Sequence, residues 1–179
     1  KRELDAGRKI VIYFSRINDL KIRGRMSTMG MDGRMELGDP VDLGIIPSPV
    51  ALLRDELKKE GIKFTELHGK SGTTSQKAQK EFAGPTNVLL ASVESGGTGI
   101  NLDDTTGKEP RTEIFMFSPY RGISTIQAMG RIWRASTIQN DNKPNRFVFA
   151  TASDIDADAS RSAVLAKKLQ LMNASLGGT

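Results

Sequence analysis

Short apolar runs bounded by turn residues alternate along this chain with stretches whose apolar residues recur every three or four positions. That alternation is the mark of strand, crossover and strand units, so the fold class it predicts is α/β, a mostly parallel sheet flanked by helices. Five runs read as strands: 9–15 (KIVIYFS), 63–68 (KFTELH), 87–92 (NVLLAS), 112–117 (TEIFMF) and 146–151 (RFVFAT). Between them, 49–60 (PVALLRDELKKE) sets Val50, Leu53 and Leu57 on one helical stripe, with Ser48 as N-cap, Pro49 at the first helical position and Gly61 as the stop. Further helices are expected over 74–82, 124–135 and 155–172. Residues 21–47 break the rhythm, being rich in Gly and Met with no sustained period, and are read as an irregular insertion, either a partner or nucleic-acid contact or a spacer.

The 179 residues suit one domain, 1–179, with a real core. A chain without cysteine has no disulfide scaffold or thiolate metal site, and with His68 as its only histidine it is poorly supplied for a zinc site or a Ser/His/Asp triad. No metal site is expected. No apolar run reaches membrane-spanning length and the start lacks a signal-peptide pattern, so the expected setting is intracellular, cytoplasmic or nuclear, without membrane contact. A net charge of +5 suits a polyanionic partner or, equally, a solvated basic surface. A strand that follows so soon after Lys1, where no Met stands, suggests a piece of a longer protein.

The sharpest constellation is STIQAMGRIWRAS. On a continuous helix Gln127, Arg131 and Arg134 would share an arc of roughly 60°, leaving Ile126, Met129 and Trp133 to pack on the sheet. Gly130, at a cost of roughly 1 kcal/mol relative to Ala, would let the helix approach a neighbour closely. Two arginines one turn apart could stabilise charge on a transferring phosphoryl group; equally, such a basic helix could face solvent. Upstream, NVLLASVESGGTGINLDD places Ser95, Gly96, Gly97, Thr98 and Gly99 just past a strand, where backbone N–H groups can approach phosphates and where open α/β sheets bind ligands.

In this order and placement, KIVIYFS, SGGTGINL and QAMGRIWR resemble motifs IV, V and VI of superfamily 2 helicases, and FTELHGKSGTTSQKAQKEF resembles that superfamily's strand, His-Gly loop and helix segment. GGTGINL followed by SPYRGISTIQAMGRIWRAS is closest to the Swi/Snf-like and strawberry-notch branches; Trp133 stands where many relatives have Gly. The resemblance implies the second, C-terminal RecA-like domain of an ATP-dependent helicase or translocase. It implies Arg134 as the arginine finger at the γ-phosphate, with Arg131 and Gln127 assisting, and Gly97, Thr98, Gly99 and Gly130 lining the nucleotide cleft. Ser15, Arg16, His68, Gly69, Ser92 and Ser95 would hold the nucleic-acid backbone, DNA favoured over RNA. ATP with Mg²⁺ would be bound mainly by an N-terminal RecA-like domain of the same protein, so this domain alone would be inactive.

Other strings carry less. Gly69-Lys70-Ser71 resembles a P-loop end, but Phe64 stands where that motif needs its first Gly, and no D-E-x-[HD] string supplies a Mg²⁺-binding carboxylate pair. His68 has no evident carboxylate pair beside it, so a positional hydrogen bond is favoured over a general base. Asp154, Asp156 and Asp158 fit a helix start better than a cation site. Two rivals remain: a catalytically inert nucleic-acid-binding module, and a nucleotide-dependent transferase using the loop 97–99, which lacks a placed acid or base.

Overall fold

The computed structural model describes residues 1–29, 31, 34–96, 99–116, 122–138 and 142–150, with positions 160, 163, 164, 166, 167 and 170. In chain order the elements are α1 (Arg2–Asp5), β1 (Lys9–Phe14), β2 (Leu20–Met29), β3 (Met35–Ile46), α2 (Pro49–Lys59) and β4 (Phe64–Leu67). There follow α3 (Ser75–Ala83), β5 (Val88–Ser92), α4 (Val93–Gly96), β6 (Arg111–Phe115), α5 (Gly122–Met129) and β7 (Arg146–Phe149). All five expected strands form within two residues of their predicted ends. They build one sheet, order β4-β5-β1-β6-β7, with every pairing parallel.

Strand β1 is the centre and is buried along its whole length, which explains why Ile10 to Phe14 is an unbroken apolar run. Its side chains alternate between two cores. On one face Val11 and Tyr13 pack with Leu89, Ala91, Phe115 and Phe82, under α3, α5 and the segment carrying Ile100 and Leu102. On the other, Ile10, Ile12 and Phe14 pack with Val88 and Leu90 under Val50 and Leu57 of α2. The α2 reading holds in detail: the Ser48 hydroxyl accepts from Ala51 N–H, a cap that contributes about 1 kcal/mol. Thr74 caps α3 the same way through Lys77 N–H.

Two expectations are corrected. Residues 21–47 are not irregular: β2 and β3 pair antiparallel into a long hairpin of their own, from Leu20 opposite Ile46 to Met29 opposite Met35. The register shifts between Ile22 and Arg23 and between Arg25 and Ser27, and these bulges erase the two-residue period by which strands are recognised. The helix expected over 124–135 starts at Gly122 and ends at Met129. Gly130 N–H makes the last α-type bond, to Ile126 O, and Arg131 N–H turns to Ala128 O in a tighter i to i−3 bond, so Arg131 and Arg134 lie beyond the helix. Most of the helix expected over 155–172, with Asp154, Asp156 and Asp158, lies outside the described residues; Ser160, Ala163, Val164, Ala166, Lys167 and Gln170 are helical. No described helix is long and apolar enough to cross a membrane.

Candidate functional site

Because all five strands run the same way, their carboxyl ends share one rim, the usual place for ligands in such sheets. That topology gathers most of the proposed track residues: Ser15 and Arg16 follow β1, His68 and Gly69 follow β4, and Ser92 ends β5. Ser15 and Gly69 are exposed, Ser92 is buried, and Arg16 donates to Pro47 O at 3.3 Å. Ser95 falls within α4, where its backbone alone is described.

His68 does have a carboxylate beside it, which corrects the sequence reading. Glu66, two residues earlier near the end of β4, lies 2.9 Å from Nε2, while Lys70 N–H donates to Nδ1 at 3.3 Å. An N–H donor at Nδ1 fixes Nε2 as the protonated nitrogen of the neutral ring, so Nε2–H donates to Glu66. Glu66 also receives both arms of Arg54, at 2.6 and 2.8 Å, and the Arg54 bond is the main reason its carboxyl lies below the usual range. This triad tethers the turn at 68–73, which Ser71 closes by donating to His68 O at 2.9 Å. Beside it lies a cleft of about 570 Å³ bordered by Asn18, Asp19, Ser48, Arg54, His68 and Lys70.

The second half of the site joins the glycine loop to the turn after α5. Gly97 and Thr98 lie outside the described residues; Gly99 is exposed at φ +74°, a left-handed conformation that favours glycine. The next carbonyl, Ile100 O, accepts from Arg131 Nη1 and from Arg134 Nη2, each at 3.3 Å. The two arginines therefore converge, through a shared acceptor on the neighbouring segment rather than through a common helical face. Gln127 is exposed on α5 itself. A Cβ at Gly130 would meet Ile126 O and Gln127 O of its own turn, at 3.4 and 3.6 Å, and no atom of another segment among the described residues, so the close approach expected at this glycine is not seen there. The two segments are further tied by Leu102 N–H to Arg131 O at 3.0 Å, Ile138 N–H to Asp104 O at 2.8 Å and Ser136 Oγ–H to Asp103 at 2.6 Å.

Residues 49–136 match the profile of the helicase conserved C-terminal domain. This chain carries a RecA-like helicase C-terminal domain. The same fold is found in the crystal structure of the C-terminal part of the Fun30 ATPase domain, with a TM-score of 0.58 at 15% identity, covering 91% of this chain. The chain spans 41% of the length of that structure's chain. Among curated proteins no sequence is similar enough to this one to mark a relative.

Within this helicase domain, sequence reasoning passed over Asp104. It is 3% exposed and its carboxylate accepts from Thr106 N–H and Oγ1–H, Gly107 N–H and Glu109 N–H at 2.7 to 3.1 Å. Burial alone would raise its pKa, but the bonds from Thr106 and Glu109 and the charge of Arg111 hold it below the usual range. Aspartate two residues before Thr and three before Gly is a turn signature that was available in DDTTGKEP. The basic surplus also finds partial employment indoors. Lys9 donates to Phe82 O and Gly84 O at 2.8 and 2.7 Å, and Arg111 donates to Leu102 O at 3.1 Å and lies 5.1 Å from the centroid of the Phe82 ring. These cations lock the amino ends of β1 and β6 and are unavailable to a polyanion. Among the described residues no group of three or more His, Cys, Asp or Glu side chains is gathered to hold a metal ion.

Proposed function

We propose that this domain is the second motor domain of an ATP-dependent nucleic-acid translocase or helicase. Arg134 and Arg131 face the triphosphate, and the strand-end rim grips a nucleic-acid backbone, DNA favoured over RNA. The observation that carries the reading is the convergence of both guanidiniums on Ile100 O, which physically joins the glycine loop to the arginine turn. Bonds of 3.3 Å to a neutral carbonyl are long, and a guanidinium fork bonds more strongly to anionic oxygens, so the donor set fits a terminal phosphate that competes for the same hydrogens.

Arg134, exposed at the end of the turn, would neutralise charge that develops on the γ-phosphate, assisted by Arg131 and by Gln127. ATP, held with Mg²⁺ mainly by an N-terminal RecA-like domain, supplies the bond whose hydrolysis drives the motor. Since the arginines and the loop leaving β5 are bonded to one another, a pull on the guanidiniums is passed to the strand end at Ser92 and hence to the rim. Gly97, Thr98, Gly99 and Gly130 would line the nucleotide cleft.

The test is nucleic-acid-stimulated ATPase activity in the longer protein that holds both motor domains, comparing wild type with Arg134→Ala and Arg131→Ala. Loss of an arginine finger lowers turnover by roughly 10³-fold, with ATP binding retained. Unchanged turnover in both variants would refute the motor assignment and leave an inert nucleic-acid-binding module as the better account.

A further inference from the structure

We infer that the foot of the β2–β3 hairpin is a second nucleic-acid contact, in which Lys21, Arg23 and Arg25 hold backbone phosphates beyond the strand-end rim. The inference rests on the nucleic-acid reading proposed above and extends it to residues that none of the motifs contains.

The hairpin is fastened to the rim at both feet. Arg16, just past β1, donates to Pro47 O at 3.3 Å, and Ser48 N–H donates to Asp19 Oδ1 at 2.7 Å, so the chain leaves and rejoins the domain at the carboxyl end of the sheet. Asn18 and Asp19, which lead into β2, border the same cleft of about 570 Å³ as His68 and Lys70. The foot of β2 is therefore continuous with the rim. Every described side chain from Leu20 to Ile46 is exposed, and the two strands pair only with each other.

Residues 20–25 each have a partner in register, and the extra residue at the first bulge, Leu43, lies on β3. Alternation along β2 is thus unbroken, and Lys21, Arg23 and Arg25 share one face at intervals of about 7 Å, while Leu20, Ile22 and Gly24 share the other. That interval is of the order of the spacing between successive phosphates along a strand. All three cations are exposed, unlike the buried Lys9 and Arg111. Arg23 pairs with Asp42 at 3.1 Å, but the two side chains are 63% and 74% exposed, so water screens the pair and a phosphate can compete for the guanidinium. Over 20–46 four basic and four acidic residues cancel, yet 20–25 holds three of the bases and none of the acids. Positive charge is concentrated where the hairpin meets the rim. With no aromatic residue in 20–46 to stack on a base, the contact is to the backbone and is indifferent to sequence.

The decisive experiment measures Kd against salt concentration for the longer protein, using a labelled DNA duplex and its single strand as probes. The double variant Lys21→Gln/Arg25→Gln leaves Arg23 in place, so Asp42 keeps its partner. It is expected to raise Kd roughly tenfold and to flatten the slope of log K against log salt by about 1.8 on the duplex and about 1.4 on the single strand. Lys58→Gln/Lys63→Gln removes the same charge from exposed positions at the amino end of the sheet, and its slope is expected to match wild type. Excising residues 20–46 leaves the net charge unaltered, yet is expected to weaken binding at least as much as the double variant, whatever the folding of the hairpin itself. A slope unchanged in Lys21→Gln/Arg25→Gln would overturn the inference, and so would an equal loss in Lys58→Gln/Lys63→Gln or undiminished binding after excision. In each of those cases wild type still binds, so the motor reading stands. Should wild type bind neither probe, that reading fails and the hairpin contact with it.

Discussion

Replacing Glu66 with alanine tests the logic of the rim most directly. The carboxylate accepts bonds of 2.6 and 2.8 Å from Arg54 and 2.9 Å from His68, and its own side chain is 15% exposed. The Arg54 side chain is 34% exposed, so solvent screens that pair and its two bonds contribute only about 1 to 1.5 kcal/mol together. The His68 side chain is 5% exposed, and stranding its Nε2–H without an acceptor adds about 1 to 2 kcal/mol. The expected loss at neutral pH is about 3 kcal/mol, a fall in Tm of about 6 to 12 °C for a domain of this size. Arg54 lowers the Glu66 pKa from its usual 4.5, so this stability is fully present above that value and disappears as pH falls through the depressed one. The gap between wild type and Glu66→Ala should therefore be wide at neutral pH and close in acid, as read by urea denaturation at a series of pH values. A Tm within about 2 °C of wild type would refute the assignment of the triad as the tether of residues 68–73. So would a gap that persists unchanged in strong acid.

Asp104→Ala removes the acceptor of four hydrogen bonds at a site 3% exposed, and a loss of about 3 kcal/mol is expected by thermal denaturation, again fading in acid because the native pKa is lowered. Because Asp104 O also receives Ile138 N–H, hydrogen exchange should quicken at 136–138 as well as at 105–109; protection unchanged at the first segment would show that the two are uncoupled. Excising residues 20–46 should leave the five-stranded sheet intact with Tm within about 3 °C, since the hairpin pairs with itself and its ends, Leu20 and Ile46, lie opposite each other. Loss of cooperative unfolding in that deletion would mean that the hairpin belongs to the core. Glu113→Gln should gain stability over wild type as pH rises. The raised native pKa of Glu113 gives a stability fully present below the usual 4.5 and lost through the elevated value, and a gap independent of pH would contradict its burial as an acid.

Strand positions were legible because a sheet covered on both faces demands short, mostly apolar runs, and 10–14, 88–91 and 114–117 are such runs. Helix α2 was legible to within a residue, since Ser48, Pro49 and Gly61 encode its ends in local chemistry. The hairpin was not, because bulges and the glycines at 24, 38 and 44 hide a two-residue period that only cross-strand pairing restores. The arginine turn was half legible. Its residue types pointed to phosphate chemistry, but a helix drawn through Gly130 gave the wrong reason for their meeting. His68 was placed at the right strand end without its partner Glu66, since that contact depends on how the turn after β4 and Arg54 of α2 pack around the carboxylate.

The sequence by itself determined the α/β class, the parallel strand set and the types of side chain offered at the rim, because periodicity, caps and turn residues act over a few neighbouring positions. What only the tertiary structure decided is which groups share an environment. Ile100 O meets Arg131 and Arg134 across more than thirty residues, and Glu113 becomes a buried acid because β1 and β7 flank it in the sheet and leave it no exposed surface. Such long-range juxtapositions depend on packing and desolvation, and neither is written in the spacing of residues along the chain.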